Sequence, residues 1–179
     1  MKKILFLFPV FLFLVACSKA SITSPSLSDI FTPAEDDSTG SVVELTIPNS
    51  YVNDSAAPEE TDGTVIVNND GSVTYNLTEE MYAELLSKIQ EGCEASLDGL
   101  VQRIPTIISI EHDPDFRNFT VETESEDLSF SEAASMITLF AVGGQYNAYA
   151  GESNAVIYIN YTHKGTTVFV CDSSEIQRP

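Results

Sequence analysis

One segment constrains the fold more than any other. In residues 73 to 100, "VTYNLTEEMYAELLSKIQEGCEASLDGL", the apolar spacing switches from every second position to every third or fourth. Val73, Tyr75 and Leu77 alternate with Thr74, Asn76 and Thr78, the period of a half-buried strand. Met81, Leu85, Leu86, Ile89, Cys93, Leu97 and Leu100 then form one stripe on a helix of about 20 residues, with Glu84, Lys88 and Glu91 opposite. Thr78 stands at the junction, where its hydroxyl can cap the first turn, and Glu79 and Glu80 lie where the helix dipole favours acids. A strand that runs straight into an amphipathic helix needs a sheet for that helix to lie on.

The remaining patterns supply that sheet. Val43, Leu45 and Ile47 alternate in "SVVELTIP", which Pro48 ends. Val65 and Val67 precede Asn69-Asp70-Gly71, and Asp-Gly between alternating runs predicts a hairpin to Val73, Tyr75 and Leu77. "PTIISIEHD" and "RNFTVETES" read as two strands around the turn-prone "DPDF". A second helix is predicted from Ser131, with a bend or break at Gly143-Gly144, since each glycine costs about 1 kcal/mol relative to alanine in a helix. "NAVIYINYTHKGTTVFVCD" closes as a hairpin around Lys164-Gly165. This order predicts an α+β domain: two layers, a mostly antiparallel sheet with both helices packed on one face.

The N-terminus reads differently. Lys2 and Lys3 precede an uncharged run from Ile4 to Ala16, then polar residues, the order of a secretory signal peptide. The run is shorter than the roughly 20 apolar residues a membrane span needs, and Pro9 interrupts it. Its ending, Leu14-Val15-Ala16-Cys17, resembles the lipobox of bacterial lipoproteins. The resemblance implies a diacylglyceryl group on the Cys17 thiol, cleavage before it, and anchoring in the lipid bilayer through two acyl chains. Ser18 stands where inner-membrane retention is associated with aspartate, so in a cell with two membranes the resemblance implies the outer one. The expected organisation is a signal peptide at 1–16, a lipidated cysteine and flexible Ser/Thr/Pro/Asp tether at 17–41, and one domain at 42–179.

Charge narrows the partners. The net charge is -19, and cleavage after Ala16 would remove Lys2 and Lys3 and leave -21. Nucleic acid is excluded as an expected partner because phosphate binding needs Lys and Arg. The acidity itself reads most simply as a soluble, self-repelling surface. Beyond Cys17 only Cys93 and Cys171 remain, which in an exported chain can pair or stay free. No CxxC or Cys/His cluster suggests metal or redox chemistry, and no cofactor is expected.

No catalytic constellation emerges either. His112 and His163 are the only histidines, and no serine lies in a GxSxG or SxxK pattern. Glu111, His112, Asp113 and Asp115 are the densest potential ligands, which makes Glu111, Asp113 and Asp115 weak metal candidates. Their spacing matches no named site, and capping of a turn is the plainer reading. "NNDGS" has Ile66 where a calcium loop needs its first oxygen ligand. Tyr146, Tyr149, Tyr158 and Tyr161 have the residue type of a sugar or peptide groove, but their helix and strand periods suit a core.

The pieces "ELTIPNSYV", "VNNDGSVTYNLT" and "AYAGE" resemble small surface lipoproteins of Gram-positive gut-type bacteria, in which a lipobox and tether precede a domain with a "TIP" strand and an "NDGSVT" hairpin. The likeness spans about residues 42 to 152 and implies localisation and architecture, not a mechanism. The leading expectation is a lipid-anchored protein that displays a non-enzymatic binding domain to a surface protein or ligand that the sequence does not name. The alternative is an exported enzyme or divalent-cation binder using Glu111 to Asp115. A transporter's solute-binding subunit would need two lobes, for which the chain is too short.

Overall fold

The computed structural model describes residues 41–52 and 65–176. Cys17, the signal segment 1–16 and the tether up to residue 40 lie outside the described residues. The elements are β1 (Val42–Ile47), a 3-10 turn (Asn49–Tyr51), β2 (Val65–Val67), β3 (Val73–Thr78), α1 (Glu79–Arg103), β4 (Ile107–His112), β5 (Asn118–Thr123), α2 (Phe130–Tyr149), β6 (Tyr158–His163), β7 (Thr166–Asp172) and α3 (Ser173–Ile176). The fold is α+β, as the periodicities predict.

The junction at Thr78 forms as the sequence dictates: the Thr78 hydroxyl accepts a hydrogen bond from the Met81 N–H at 3.2 Å. Leu85, Ile89, Cys93, Leu97 and Leu100 face inward from α1. The Asp70-Gly71 turn closes the β2–β3 hairpin, with Gly71 at φ +81° and the Asp70 carboxylate accepting from the Ser72 N–H at 3.0 Å. Lys164 and Gly165 both take positive φ at the β6–β7 hairpin.

The strands form two sheets rather than one. β1-β3-β2 is entirely antiparallel, with Leu45 opposite Tyr75 and Val65 opposite Tyr75 on the other side. β4-β5-β6-β7 is mixed. Chain geometry explains the split. The 25 residues of α1 rise roughly 37 Å, nearly twice the roughly 20 Å of a six-residue strand, so the chain emerges past the end of the first sheet. In the second sheet β5 and β6 run parallel, Asn118 opposite Tyr158, because α2 is a crossover that returns the chain to the start.

A second expectation is corrected. α2 starts at Phe130, and it neither breaks nor ends at Gly143-Gly144 but continues to Tyr149. Ser129 and Glu132 form a reciprocal capping box at its start. One hydrophobic core joins the inner faces of both sheets to α1 and α2, with Ile47, Tyr75, Leu85, Phe119, Leu139 and Tyr161 among its members. Among the described residues no helix is long and apolar enough to cross a membrane.

Candidate functional site

One of the glycines that fail to break α2, Gly144, lines a cleft on the domain surface. At Gly144 the absent side chain lets the Tyr51 ring lie against the helix: a Cβ there would stand 2.5 Å from the tyrosine hydroxyl. Around this contact opens a cleft of about 310 Å³. Phe140 and Ala141 of α2 form one wall, Tyr51 another, and the connection from Ser153 to Ile157 a third, while Ser173 and Ser174 of α3 close it. Ser173 holds that closure in place. Its N–H donates to the Ile157 carbonyl at 2.9 Å, and its hydroxyl accepts from the Ile157 N–H at 3.0 Å.

The chemistry of the lining is simple. Tyr51, Phe140, Val156 and Ile157 offer apolar and aromatic surface, and Ser153, Asn154, Ser173 and Ser174 offer hydroxyl and amide groups at the rim. Among the described residues no acidic, basic, histidine or cysteine side chain lines the cleft. Such a surface suits a neutral ligand held by contact area and a few directed hydrogen bonds.

The residues singled out from the sequence lie elsewhere. Glu111 is exposed on β4, opposite Thr120. Asp113 is a turn cap: its carboxylate accepts from the backbone N–H of Arg117 at 2.7 Å, that of Asn118 at 3.2 Å and the Asn118 amide at 2.5 Å. Burial alone would raise its carboxyl, but these hydrogen bonds prevail and hold it below the ordinary 3.8. Asp115 is exposed, and its carbonyl accepts from the Asn147 amide at 2.8 Å. Among the described residues no three His, Cys, Asp or Glu side chains converge as a metal ion would require.

Both histidines link structural elements. His112 places Nδ1 2.8 Å from the Asp113 carbonyl and Nε2 3.2 Å from a Glu94 carboxylate oxygen, with its ring stacked on Phe116 at 4.1 Å. His163 Nδ1 lies 2.9 Å from the Thr123 carbonyl. Tyr146, Tyr149 and Tyr161 belong to the core, whereas Tyr158 is half exposed on β6; none of the four lines the cleft. The cleft's own tyrosine, Tyr51, carries no periodic signal in the sequence, since it sits in an irregular turn after Pro48.

Cys93 and Cys171 are both buried and both free. The Cys93 thiol approaches the Val142 carbonyl at 3.8 Å, and the Cys171 sulfur lies 3.3 Å from the Met136 sulfur. Met136 and Val142 are six positions apart on α2, roughly 9 Å along its axis, so the two thiols pack against different turns of the helix and no bond joins them. Burial pushes the Cys93 thiol up to about 12 and also raises that of Cys171.

The chain matches no protein-family model, no curated protein and no solved structure.

Proposed function

We propose that the protein is a membrane-anchored bacterial lipoprotein that displays its α+β domain outside the membrane as a non-enzymatic binding module. The observation that carries this reading is Leu14-Val15-Ala16-Cys17, placed directly after two lysines and an uncharged run. Acylation of Cys17 supplies two chains, enough for stable anchoring, while the net charge of -19 gives no electrostatic hold on anionic lipid. The neutral lining of the cleft supports a binding role.

Fractionation of a bacterial host expressing the full chain tests the anchor. The wild type should partition with membranes through high-salt and carbonate washes and enter detergent. Cys17→Ala should not leave the membrane-bound form with an acylated N-terminus. Equal partitioning and equal lipid content for the two chains would contradict the reading.

A further inference from the structure

α2 carries apolar side chains on both of its faces. Glu132, Ser135, Leu139, Val142, Gly143 and Tyr146 face the interior. The opposite side presents Phe130, Ala134, Ile137 and Ala141, spaced at four, three and four residues and bordered by the hydroxyl residues Ser131 and Thr138, with no charged side chain among them. Phe130 is 90% exposed and Ile137 71%. Further along the same face the helix is covered: Gly144 lies under Tyr51, and Ala148 is fully buried. The uncovered part is therefore a ridge of three turns, about 16 Å long, that runs into the cleft at Phe140 and Ala141.

Charge surrounds this ridge at both ends. The exposed Glu124, Glu126 and Asp127 precede its first turn. At the other end the exposed Glu175 follows Ser174 of the cleft wall. A second copy of the chain would bring the same negative charge to each end, and an anionic bilayer would do likewise, so both are disfavoured by like-charge repulsion.

From this ridge and its acidic ends we infer that the Phe130–Ala141 face of α2 is a docking surface for a cationic amphipathic helical segment of another polypeptide. Apolar residues of that segment at i, i+3 or i+4, and i+7 would lie along Phe130, Ile137 and Phe140, with Ala134 and Ala141 allowing close approach. Its Lys or Arg residues would reach Glu124, Glu126 and Asp127 at one end and Glu175 at the other. The negative field of the chain would steer such a partner in from a distance. This goes beyond the display reading by naming the chemistry of the partner, and its failure would leave the Cys17 anchor untouched.

The test uses the full chain in phosphatidylcholine vesicles, with protein-free vesicles as the blank. The probe is a fluorescent synthetic peptide of about 14 residues, leucine at helical spacing and lysine elsewhere, long enough to cover the three-turn face. The expected result is saturable binding above the blank that weakens at least about tenfold in Ile137→Lys, weakens with added salt, and is absent for the isomer with glutamate in place of lysine. Phe130→Ser provides a second variant, in the first turn of the helix, and far-UV circular dichroism verifies that both fold. Equal binding by wild type and both folded variants would overturn the proposal, as would equal binding of the glutamate isomer. So would cross-linking of the chain into a dimer that Ile137→Lys abolishes, which would make a second copy the occupant.

Discussion

A methyl group added at Gly143 would stand 2.5 Å from the carbonyl oxygen of Phe116. Phe116 is fully buried at φ 52°, its ring packed between His112 at 4.1 Å and Tyr146 at 4.7 Å. The β4–β5 corner is thus pressed onto α2 where the helix has no side chain.

Gly143→Ala should therefore destabilise the protein by roughly 1–3 kcal/mol, the cost of overpacking a tight contact, even though alanine is the better helix former by about 1 kcal/mol. Gly99 in α1 provides the contrast: nothing lies within 4 Å of the position of its Cβ. Gly99→Ala should stabilise by about 0.5–1 kcal/mol. Urea melts of the two variants decide this, and a Gly143→Ala variant as stable as Gly99→Ala would show that the corner does not bear on the helix.

This contact also marks the limit of sequence reasoning. Periodicity made α1, its Thr78 cap, the Asp70-Gly71 and Lys164-Gly165 hairpins and every strand legible, because these depend on neighbours within a few residues. The fate of Gly143-Gly144 depends on Phe116 and Tyr51, which are distant in sequence, so local propensity argued for a break and tertiary packing overrode it. The separation into two sheets depended on the length of α1 relative to β3, which periodicity underestimated. Of the cleft, only the polar residues around Ser153 and Ser173 show even a turn-like composition, and nothing in "NSYV" marks Tyr51 as a wall.

Beneath the start of α2, the Tyr161 hydroxyl lies 2.7 Å from the Ser135 hydroxyl and donates to the Glu132 carbonyl at 3.0 Å. Tyr161→Phe should cost about 1–2 kcal/mol, since Ser135 keeps its own bond to the same carbonyl. Tyr161→Phe combined with Ser135→Ala should cost less than the sum of the two single changes, by 0.5 kcal/mol or more in order of magnitude. Additive losses in chemical denaturation would indicate that the two hydroxyls act independently.

Asp113 makes stability depend on pH. Its carboxyl is held below 3.8 in the fold, so as pH falls the unfolded chain takes up this proton first. The stabilisation is complete above about pH 5 and is lost as pH drops through 3.8 and below. The stability difference between wild type and Asp113→Asn should be largest at pH 6 and shrink by pH 3. A difference that stays constant over that range, or grows toward acid, would rule out the ionised carboxylate as the source.

The seating of Cys93 and Cys171 predicts that neither thiol reacts at neutral pH while the protein is folded. Cys93 is 1% exposed with its thiol pushed up to about 12, and Cys171 is 8% exposed. Two thiols should become alkylated on unfolding in denaturant without reductant. If alkylation required prior reduction, a Cys93–Cys171 bridge would exist and the packing of α2 against β7 would have to differ.

The most direct measurement of the anchored-lipoprotein account is the intact mass of the full chain extracted by detergent from a bacterial host. The account predicts a polypeptide beginning at Cys17 and carrying a diacylglyceryl group, with the lipid mass lost in Cys17→Ala. A chain that begins anywhere else, or that begins at Cys17 without added lipid, would contradict it.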